Sequence, residues 1–232
     1  MKLSVVIPAL DEAERIEATI LGALDSPAPT APSTGSAIEV LVVDGGSQDQ
    51  TRHLAEAAGA RVLESAPGRA RQLAAGAEAS GGEAILFLHA DTRLPRGWSA
   101  AVRRALGDPA VAGGAFHLEF DERSPTMRWI EGFVRVRIAL WGLPYGDQAI
   151  FLRRRVLDAI GGVPQVPLME DLDLVSRLKE HGRLVMLRER VTTSARRYRE
   201  QGVVRTLIRH WVALSAWRLD IDRARLADWM GR

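Results

Sequence analysis

Short apolar runs recur along the first half of the chain, and a segment with helical spacing follows each one. The runs cover residues 3–7, 38–43, 60–63 and 84–88, and each ends at a proline or a polar residue. Runs this short predict strands buried on both faces. The segments of helical spacing cover residues 11–24, 47–58 and 69–80, and Pro95 opens another. Strand and helix in alternation predict a parallel sheet covered by helices.

The second half of the chain is less regular. Residues 111–120 alternate between apolar and polar positions, which predicts a strand in a mixed sheet. Further short strands are predicted at 148–152, 184–187 and 191–194, and further helices at 126–141, 154–160, 170–182, 202–219 and 222–230. The fold class expected is therefore α/β: a Rossmann-like mixed sheet flanked by helices, parallel in its N-terminal half and closed by C-terminal helices.

The positions of loop-forming and helix-capping residues along the chain indicate one domain. Residues 26–36, rich in Pro, Ala, Ser and Thr, predict a flexible loop. Ser47 and Gln50 have the spacing of a capping box, which places a helix start there. No repeat and no convincing linker interrupts the pattern, so we expect a single domain over residues 1–232.

Composition narrows the classes of function. The apolar share of 47% and the charged share of 26% are typical of globular proteins. With 31 basic against 29 acidic residues the chain has no basic footprint for nucleic acid. The absence of cysteine excludes disulfides and thiolate-bound zinc. No window reaches 18 apolar residues, and Pro8 interrupts the N-terminal run, so we expect neither a membrane span nor a signal peptide, and a cytoplasmic location.

Acidic residues follow three of the predicted strands: Glu12 after the first, Asp44 after the second and Asp91 after the fourth. The carboxyl ends of parallel strands share one sheet edge, where ligands of open α/β sheets bind. Asp91 has a local alternative, as a cap of the turn before the next helix. A dinucleotide fold is excluded because the first turn contains no glycine, and no Gly-Lys-Ser/Thr of a P-loop occurs.

Four segments resemble the ordered motifs of glycosyltransferase family 2. They are Val5-Val6-Ile7-Pro8-Ala9-Leu10-Asp11-Glu12, Val42-Val43-Asp44-Gly45-Gly46-Ser47, Leu88-His89-Ala90-Asp91 and Met169-Glu170-Asp171. The resemblance runs from residue 3 to about residue 200. Three more segments resemble the small bacterial members called radical-SAM/selenodomain-associated transferases: Gly68-Arg69-Ala70-Arg71-Gln72, Tyr145-Gly146-Asp147-Gln148 and Ser194-Ala195-Arg196-Arg197-Tyr198.

The resemblance implies a GT-A type enzyme that transfers a sugar, with inversion, from a UDP- or GDP-sugar to an acceptor hydroxyl, using Mg²⁺ or Mn²⁺. It implies a nucleotide-binding half at 1–107, an acceptor and catalytic half at 108–198 and C-terminal helices at 199–232. The implied nucleotide contacts are Pro8, Leu10, Glu12, Asp44, Arg69, Arg71, Gln72, His89, Ala90 and Asp91. Asp91 stands where the family binds its metal, and Asp171, beside Glu170, where the family keeps its general base.

These residue types suit that chemistry. A hard cation that bridges two phosphates keeps several waters, so one protein carboxylate such as Asp91 is sufficient. A carboxylate at Asp171 that takes the acceptor proton is worth roughly 10²–10⁴-fold in rate. The local alternative for Glu170 and Asp171 is electrostatic, because acids favour a helix N-terminus.

Two departures from the family pattern matter. His89 replaces the first acid of the Asp-x-Asp motif, and we expect it to pack and hydrogen-bond beneath the site rather than to bind the metal or a ribose. Ser194 and Tyr198 replace the Gln and Trp of processive members, so polymer synthesis is not expected. Arg196 and Arg197 either reach the diphosphate or form a solvated basic face.

Two other functions compete with transfer. A sugar-phosphate nucleotidyltransferase would need a Gly-rich basic turn after the first strand, which is absent. A non-catalytic nucleotide-sugar-binding protein would tolerate the altered metal motif. The acceptor stays unidentified, with lipid-like molecules among the candidates, and residues 123–145 are expected to shape its site.

The C-terminal helices allow two interpretations. Trp211 and Trp217 lie among Arg205, Arg209 and Arg218, a pattern that is also found in helices on anionic membranes. We favour a core-closing role or a homodimer interface, because amphipathic helices serve more often in those ways.

Overall fold

The computed structural model describes residues 1–24, 38–219, 221–223 and 226–227. The predicted loop at 26–36 lies outside the described residues, and so does most of the predicted helix at 222–230.

Eight strands and nine α-helices form the described chain. The strands are β1 (Leu3–Ala9), β2 (Ile38–Asp44), β3 (Arg61–Glu64), β4 (Ala84–Phe87), β5 (Thr92–Arg93), β6 (Val111–Phe120), β7 (Phe151–Arg153) and β8 (Arg183–Thr193). The helices are α1 (Ile16–Leu24), α2 (Thr51–Ala57), α3 (Arg69–Ala79), α4 (Trp98–Ala105), α5 (Pro125–Trp141), α6 (Arg154–Ala159), α7 (Glu170–Glu180), α8 (Arg196–Gln201) and α9 (Val203–Arg218). A 3₁₀ turn covers Gly146–Gln148.

All eight strands belong to one sheet in the order β3-β2-β1-β4-β7-β6-β8-β5. The first four pair in parallel, and β7 joins β4 and β6 antiparallel. Ala9 pairs with Asp44, so the carboxyl ends of β1 and β2 lie at one edge. The predicted parallel half and mixed second half are confirmed.

Both faces of the sheet are buried, as the continuous apolar runs predict. Successive side chains of a strand point to opposite faces. On β1, Val5 and Ile7 belong to one core cluster, with Trp98, while Val6 belongs to the other, with Leu73 and Leu172.

Three local predictions are wrong. Residues 184–187 and 191–194 form one strand, β8, because a bulge against β6 absorbs the polar residues 188–189 instead of ending the strand. The capping box does not form: α2 begins at Thr51, and the Ser47 hydroxyl donates to Asp44 instead. Residues 148–152 are not one strand, since the 3₁₀ turn precedes β7.

The helices α5 and α9 lie side by side, with the rings of Phe133 and Trp211 5.7 Å apart. Ala213 and Leu214 of α9 are buried in the core. Within the described residues, no helix combines the length and the apolar character that crossing a membrane requires.

Close packing of α3 on the sheet generates a stability prediction. A Cβ at Gly76 would lie 2.3 Å from Val6 Cγ1 and 2.9 Å from Val43 Cγ2. We expect Gly76→Ala to lower the free energy of unfolding by about 1–3 kcal/mol, because overpacking displaces a buried strand. Urea titration measures the change. The control is Gly22→Ala on α1, where a Cβ has no neighbour within 4 Å and should stabilise the helix by about 0.5–1 kcal/mol. Equal effects of the two substitutions would contradict the packing argument.

Candidate active site

A cleft opens at the carboxyl edge of the sheet and brings together segments far apart in sequence. It encloses about 790 Å³ of empty space, including its open mouth. Six of the polar side chains that line it come from α3, the segment after β4, the 3₁₀ turn, α7 and α8: Arg69, His89, Asp91, Asp147, Asp171 and Arg197. Five of these six, all except Asp147, are residues that the sequence analysis predicted for catalysis, metal, nucleotide or diphosphate.

Backbone groups fix the carboxylate of Asp171. Its Oδ2 accepts a hydrogen bond of 2.7 Å from Gly146 N, and its Oδ1 accepts one of 2.9 Å from Leu172 N. A Cβ at Gly146 would lie 2.9 Å from His89 Nε2 and 3.3 Å from Asp171 Oδ2. Glycine at this position therefore lets the imidazole of His89 and the carboxylate of Asp171 approach the same turn.

Arg69 joins α3 to the start of α7. Its Nε forms a close ion pair with the buried Glu170, and its Nη2 lies 3.9 Å from Asp171 Oδ2. Burial lowers the pKa of Arg69, but the two carboxylates outweigh burial and raise it. The guanidinium is thus a fixed positive charge in the wall of the cleft.

Asp147 is a site residue that the sequence analysis missed as a functional group. It lines the cleft, and its Oδ1 is buried without a hydrogen-bond partner. Burial raises the pKa of Asp147, as do the charges of Asp171 and Asp91, while Arg137 and Arg197 lower it. The signal in the sequence was the acid within the Tyr145–Gln148 segment, which was quoted only for its resemblance.

The 3₁₀ turn that carries Asp147 is anchored from below by buried groups. Gln148 Nε2 donates to Phe116 O at 2.9 Å, and the Arg137 guanidinium lies 3.4 Å from the centroid of the Tyr145 ring. The sheet thereby holds Gly146 and Asp147 in place.

Glu12 and Arg196 close another side of the site. Arg196 Nη2 donates to Glu12 Oε1 at 2.8 Å, and Thr51 Oγ1 accepts from Glu12 N at 2.8 Å. Burial and the charge of Asp91 raise the pKa of Glu12, while Arg196 lowers it. Of the two predicted phosphate arginines, Arg196 is therefore paired with an acid, whereas Arg197 is an exposed side chain of the cleft.

Asp44 and Gln72 are buried and engaged by their own surroundings. The Asp44 carboxylate accepts hydrogen bonds from the Ser47 hydroxyl and from Gly46 N and Ser47 N, both at 3.0 Å. Gln72 Nε2 donates to Ala9 O and Val43 O, both at 2.8 Å, and so ties the ends of β1 and β2 together. Both side chains shape the sheet edge, and their contact with a nucleotide stays a prediction.

The other predicted nucleotide contacts lie outside the cleft lining. Pro8 is half-buried in β1, Leu10 is exposed, and Ala90 is buried with its carbonyl bonded to Thr19 Oγ1 at 2.7 Å. Arg71 faces a separate hollow beside α7. Their roles also stay predictions.

The donor set fits a cation that is shared with a ligand. Across the described ranges, no three His, Cys, Asp or Glu side chains form a group that could hold a metal ion. Asp91 and His89 offer one carboxylate and one imidazole in the same cleft. Mg²⁺ is commonly bound by one or two carboxylates with phosphate oxygens and water. The residues therefore fit a metal bound together with a diphosphate.

Backbone strain is concentrated beside the site. In the described chain, the non-glycine residues with positive φ are Asp11 (53°), Ala149 (49°) and Met169 (61°). Asp11 precedes Glu12, Ala149 follows the 3₁₀ turn, and Met169 precedes Glu170. Such left-handed residues cost of order 1–3 kcal/mol each and occur mostly at functional sites.

A polar cleft at the carboxyl edge of the sheet is the position where α/β proteins of this class bind their ligands. The family model for glycosyl transferase family 2 matches residues 4–161. The chain belongs to this family, which confirms the predicted resemblance at the family level.

Relatives and solved structures agree with this assignment. Glucosyl-3-phosphoglycerate synthase of Mycolicibacterium paratuberculosis (strain ATCC BAA-968 / K-10) is 40% identical over 102 residues, which cover 40% of this chain and 29% of the relative. The chain thus spans less than a third of that relative.

Two crystal structures share the fold. The Mycobacterium tuberculosis glucosyl-3-phosphoglycerate synthase with Mn²⁺, UDP and glucosyl-3-phosphoglycerate is 22% identical, with a TM-score of 0.53, over 82% of this chain and 70% of that one. TarS from S. aureus in complex with UDP is 18% identical, with a TM-score of 0.64, over 84% and 61%. The predicted GT-A type fold class is confirmed.

The environment of Asp147 predicts a pH-dependent stability. Because its folded pKa is raised above 3.8, the folded state binds more protons than the unfolded state between the two values, and stability falls as pH rises through that window. We expect Asp147→Asn to have a higher Tm than the wild type at pH 7, with a difference that shrinks toward pH 3.8. Asp158→Asn, which changes an exposed carboxylate, is the control. A lower Tm for Asp147→Asn at pH 7 would mean that pairing with Arg137 and Arg197 outweighs burial.

Proposed function

We propose that this chain is an inverting glycosyltransferase that moves a sugar from a UDP- or GDP-sugar to an acceptor hydroxyl. The observation that carries the proposal is that Asp91 and Asp171, 80 positions apart in sequence, line one cleft together with Arg69 and Arg197. Membership in family 2 supports the same reaction.

The donor diphosphate would lie near Asp91 and Arg197. An exposed guanidinium can donate two parallel hydrogen bonds to a phosphate. Asp91 would hold Mg²⁺ or Mn²⁺ jointly with the diphosphate, and the bound metal would offset negative charge on the leaving group. Structures of the M. tuberculosis synthase contain UDP with Mn²⁺ or Mg²⁺, which supports this choice of cofactor.

The base and ribose would lie over the ends of β1 and β2. The predicted contacts there are Pro8, Leu10, Glu12, Asp44 and Ala90, together with Arg71 and Gln72 from α3. Asp44 and Gln72 would act by shaping the turns, since their polar atoms already bond to the backbone.

Asp171 would be the general base. An acceptor hydroxyl is a poor nucleophile until a carboxylate within hydrogen-bond reach removes its proton. Asp171 is oriented by Gly146 N and Leu172 N, and Glu170 would serve the site by holding Arg69. In a single displacement, the sugar carbon leaves the diphosphate as the acceptor oxygen attacks from the other side, so its configuration inverts.

Two finer assignments belong to this proposal. The segments around Arg69, Asp147 and Arg197 support membership in the radical-SAM/selenodomain-associated subgroup. One sheet that runs through both halves of the chain supports a single catalytic domain, with 1–107 for the nucleotide and 108–198 for the acceptor.

Substitution of Asp171 tests the chemistry. Asp171→Asn keeps the shape but removes basicity, so we expect transfer to fall by ~10²-fold or more while UDP binding stays near the wild-type value. Donor hydrolysis and transfer are measured with a panel of nucleotide sugars. Glu180→Gln, an exposed acid at the far end of α7, is the matched control. Transfer that survives in Asp171→Asn would mean that another residue is the general base. Donor binding without turnover in the wild type would favour the non-catalytic nucleotide-sugar-binding protein.

Thermal shifts test the donor site. We expect UDP with Mn²⁺ to raise the Tm more than UDP alone, because a ligand that binds only the native state stabilises it. Asp91→Asn should abolish the metal-dependent part of the shift and leave the unliganded Tm near its original value. An equal shift with and without metal in the wild type would refute the metal role of Asp91.

A further inference from the structure

Exposed apolar side chains are concentrated on two neighbouring helices. Of the twelve large hydrophobic side chains that are exposed in the described part of the chain, seven lie on α5 and α9. These are Trp129, Val136, Leu140, Val204, Ile208, Trp211 and Val212, which we call the α5–α9 face. Leu140 is 68% exposed and Val204 71%. Single exposed apolar residues are ordinary, whereas a contiguous patch marks an interaction surface.

Each helix presents its apolar residues as one stripe. Spacings of three, four or seven residues put side chains on the same side of a helix, and Trp129, Phe133, Val136 and Leu140 follow them on α5. The stripe on α9 has the same spacing and ends in Trp211 and Val212. Within the α5 stripe the rings of Trp129 and Phe133 stack with centroids 6.1 Å apart, and a contact of 5.7 Å between the rings of Phe133 and Trp211 joins the two stripes.

Arginines border the α5–α9 face. Arg128 and Arg135 neighbour the α5 stripe in sequence, and Arg205 and Arg209 neighbour the α9 stripe. The sequence of α9 has no acid, and the one acid of α5, Glu131, accepts a hydrogen bond of 2.9 Å from Phe120 N. The face therefore combines tryptophan, aliphatic side chains and excess positive charge.

The face continues into the candidate active site. A groove between α5 and α9 is lined by Phe133 and Trp211 at the face and by Tyr145, Tyr198 and His210 further in. The last three also line the cleft that contains Asp91 and Asp171. The groove at the face is therefore adjacent to the cleft and shares three wall residues with it.

We propose that the α5–α9 face docks on an anionic membrane surface. Helices with tryptophan and aliphatic residues on one side and bordering arginines lie in the lipid interface, where the rings insert and the guanidinium groups meet lipid phosphates. A two-fold dimer through this face fits less well, since both copies would present the same arginine-bordered face and positive charges would meet across the contact. Membrane docking does not depend on the proposed function. If both hold, the acceptor is a molecule carried in the lipid surface.

Vesicle sedimentation of the full chain tests the proposal. We expect binding to phosphatidylcholine vesicles that contain phosphatidylglycerol, much weaker binding to phosphatidylcholine alone, and release of the protein at high salt, because salt screens charges beyond the Debye length. Trp129→Ser with Trp211→Ser should reduce the partition coefficient by ~10-fold or more, since two large side chains no longer insert. Arg128→Gln with Arg205→Gln should remove the preference for anionic lipid.

The controls separate docking from folding and from donor binding. Leu21→Ser and Arg155→Gln change exposed residues on α1 and α6 and should leave vesicle binding unchanged. The Tm shift with UDP and Mn²⁺ should be the same in the tryptophan variant as in the wild type, so a failure of the donor site is distinguishable. No binding to any vesicle would overturn the proposal, as would binding that the face variants do not alter. A dimer in sedimentation velocity that the tryptophan variant dissociates would assign the face to a second copy instead.

Discussion

The ion pair of Arg69 with Glu170, close to Asp171, is the contact on which the arrangement of the cleft depends. A buried acid is costly unless it is paired, and removing one partner of a buried pair costs about 3–5 kcal/mol. Arg69 pairs with Glu170, lies 3.9 Å from Asp171, and links α3 to α7. Without it, Glu170 and Asp171 would face each other near Asp147 with no fixed cation between them. The negative charges of Glu170 and Asp171 are therefore balanced by a guanidinium that is fixed in the wall of the cleft.

The backbone supplies the second constraint. Met169, directly before Glu170, and Ala149, directly after the turn with Gly146 and Asp147, both hold left-handed conformations. The sheet and its two cores are rigid enough to impose this strain, because their side chains are close-packed on both faces. The strain orients Asp171 toward the nitrogen of Gly146, where any residue with a Cβ would crowd both the carboxylate and His89. The site is thus preorganised by main-chain geometry as much as by side-chain charge.

The apolar runs predicted the parallel half of the sheet because parallel strands are buried on both faces and therefore consist of consecutive apolar residues. The polar residues and prolines that end each run then determine where each strand begins and ends. The prediction failed where the local structure depends on a residue that is distant in sequence. The Ser47 hydroxyl accepts a hydrogen bond from Asp11 N, 36 residues away, and donates to the neighbouring Asp44 instead of capping α2, and the bulge of β8 depends on its register with β6. The burial of Asp147 had no local sequence signal either. The pairs that build the site, Arg69 with Glu170 and Arg196 with Glu12, lie 101 and 184 residues apart, beyond the reach of any local pattern.

The C-terminal helices close the core and also leave a surface, because α9 has two apolar sides. Ala213 and Leu214 are packed inside, while Ile208 and Trp211 lie outside beside α5. The buried side of α9 alone satisfies the prediction of a core-closing helix. It does not explain why the exposed side of α9 is also apolar. The groove between α5 and α9 shares Tyr145, Tyr198 and His210 with the cleft, and the outer sides of the same two helices carry arginine and tryptophan. If the face docks on a membrane as proposed, an acceptor carried in that membrane would be held beside the cleft that contains Asp171.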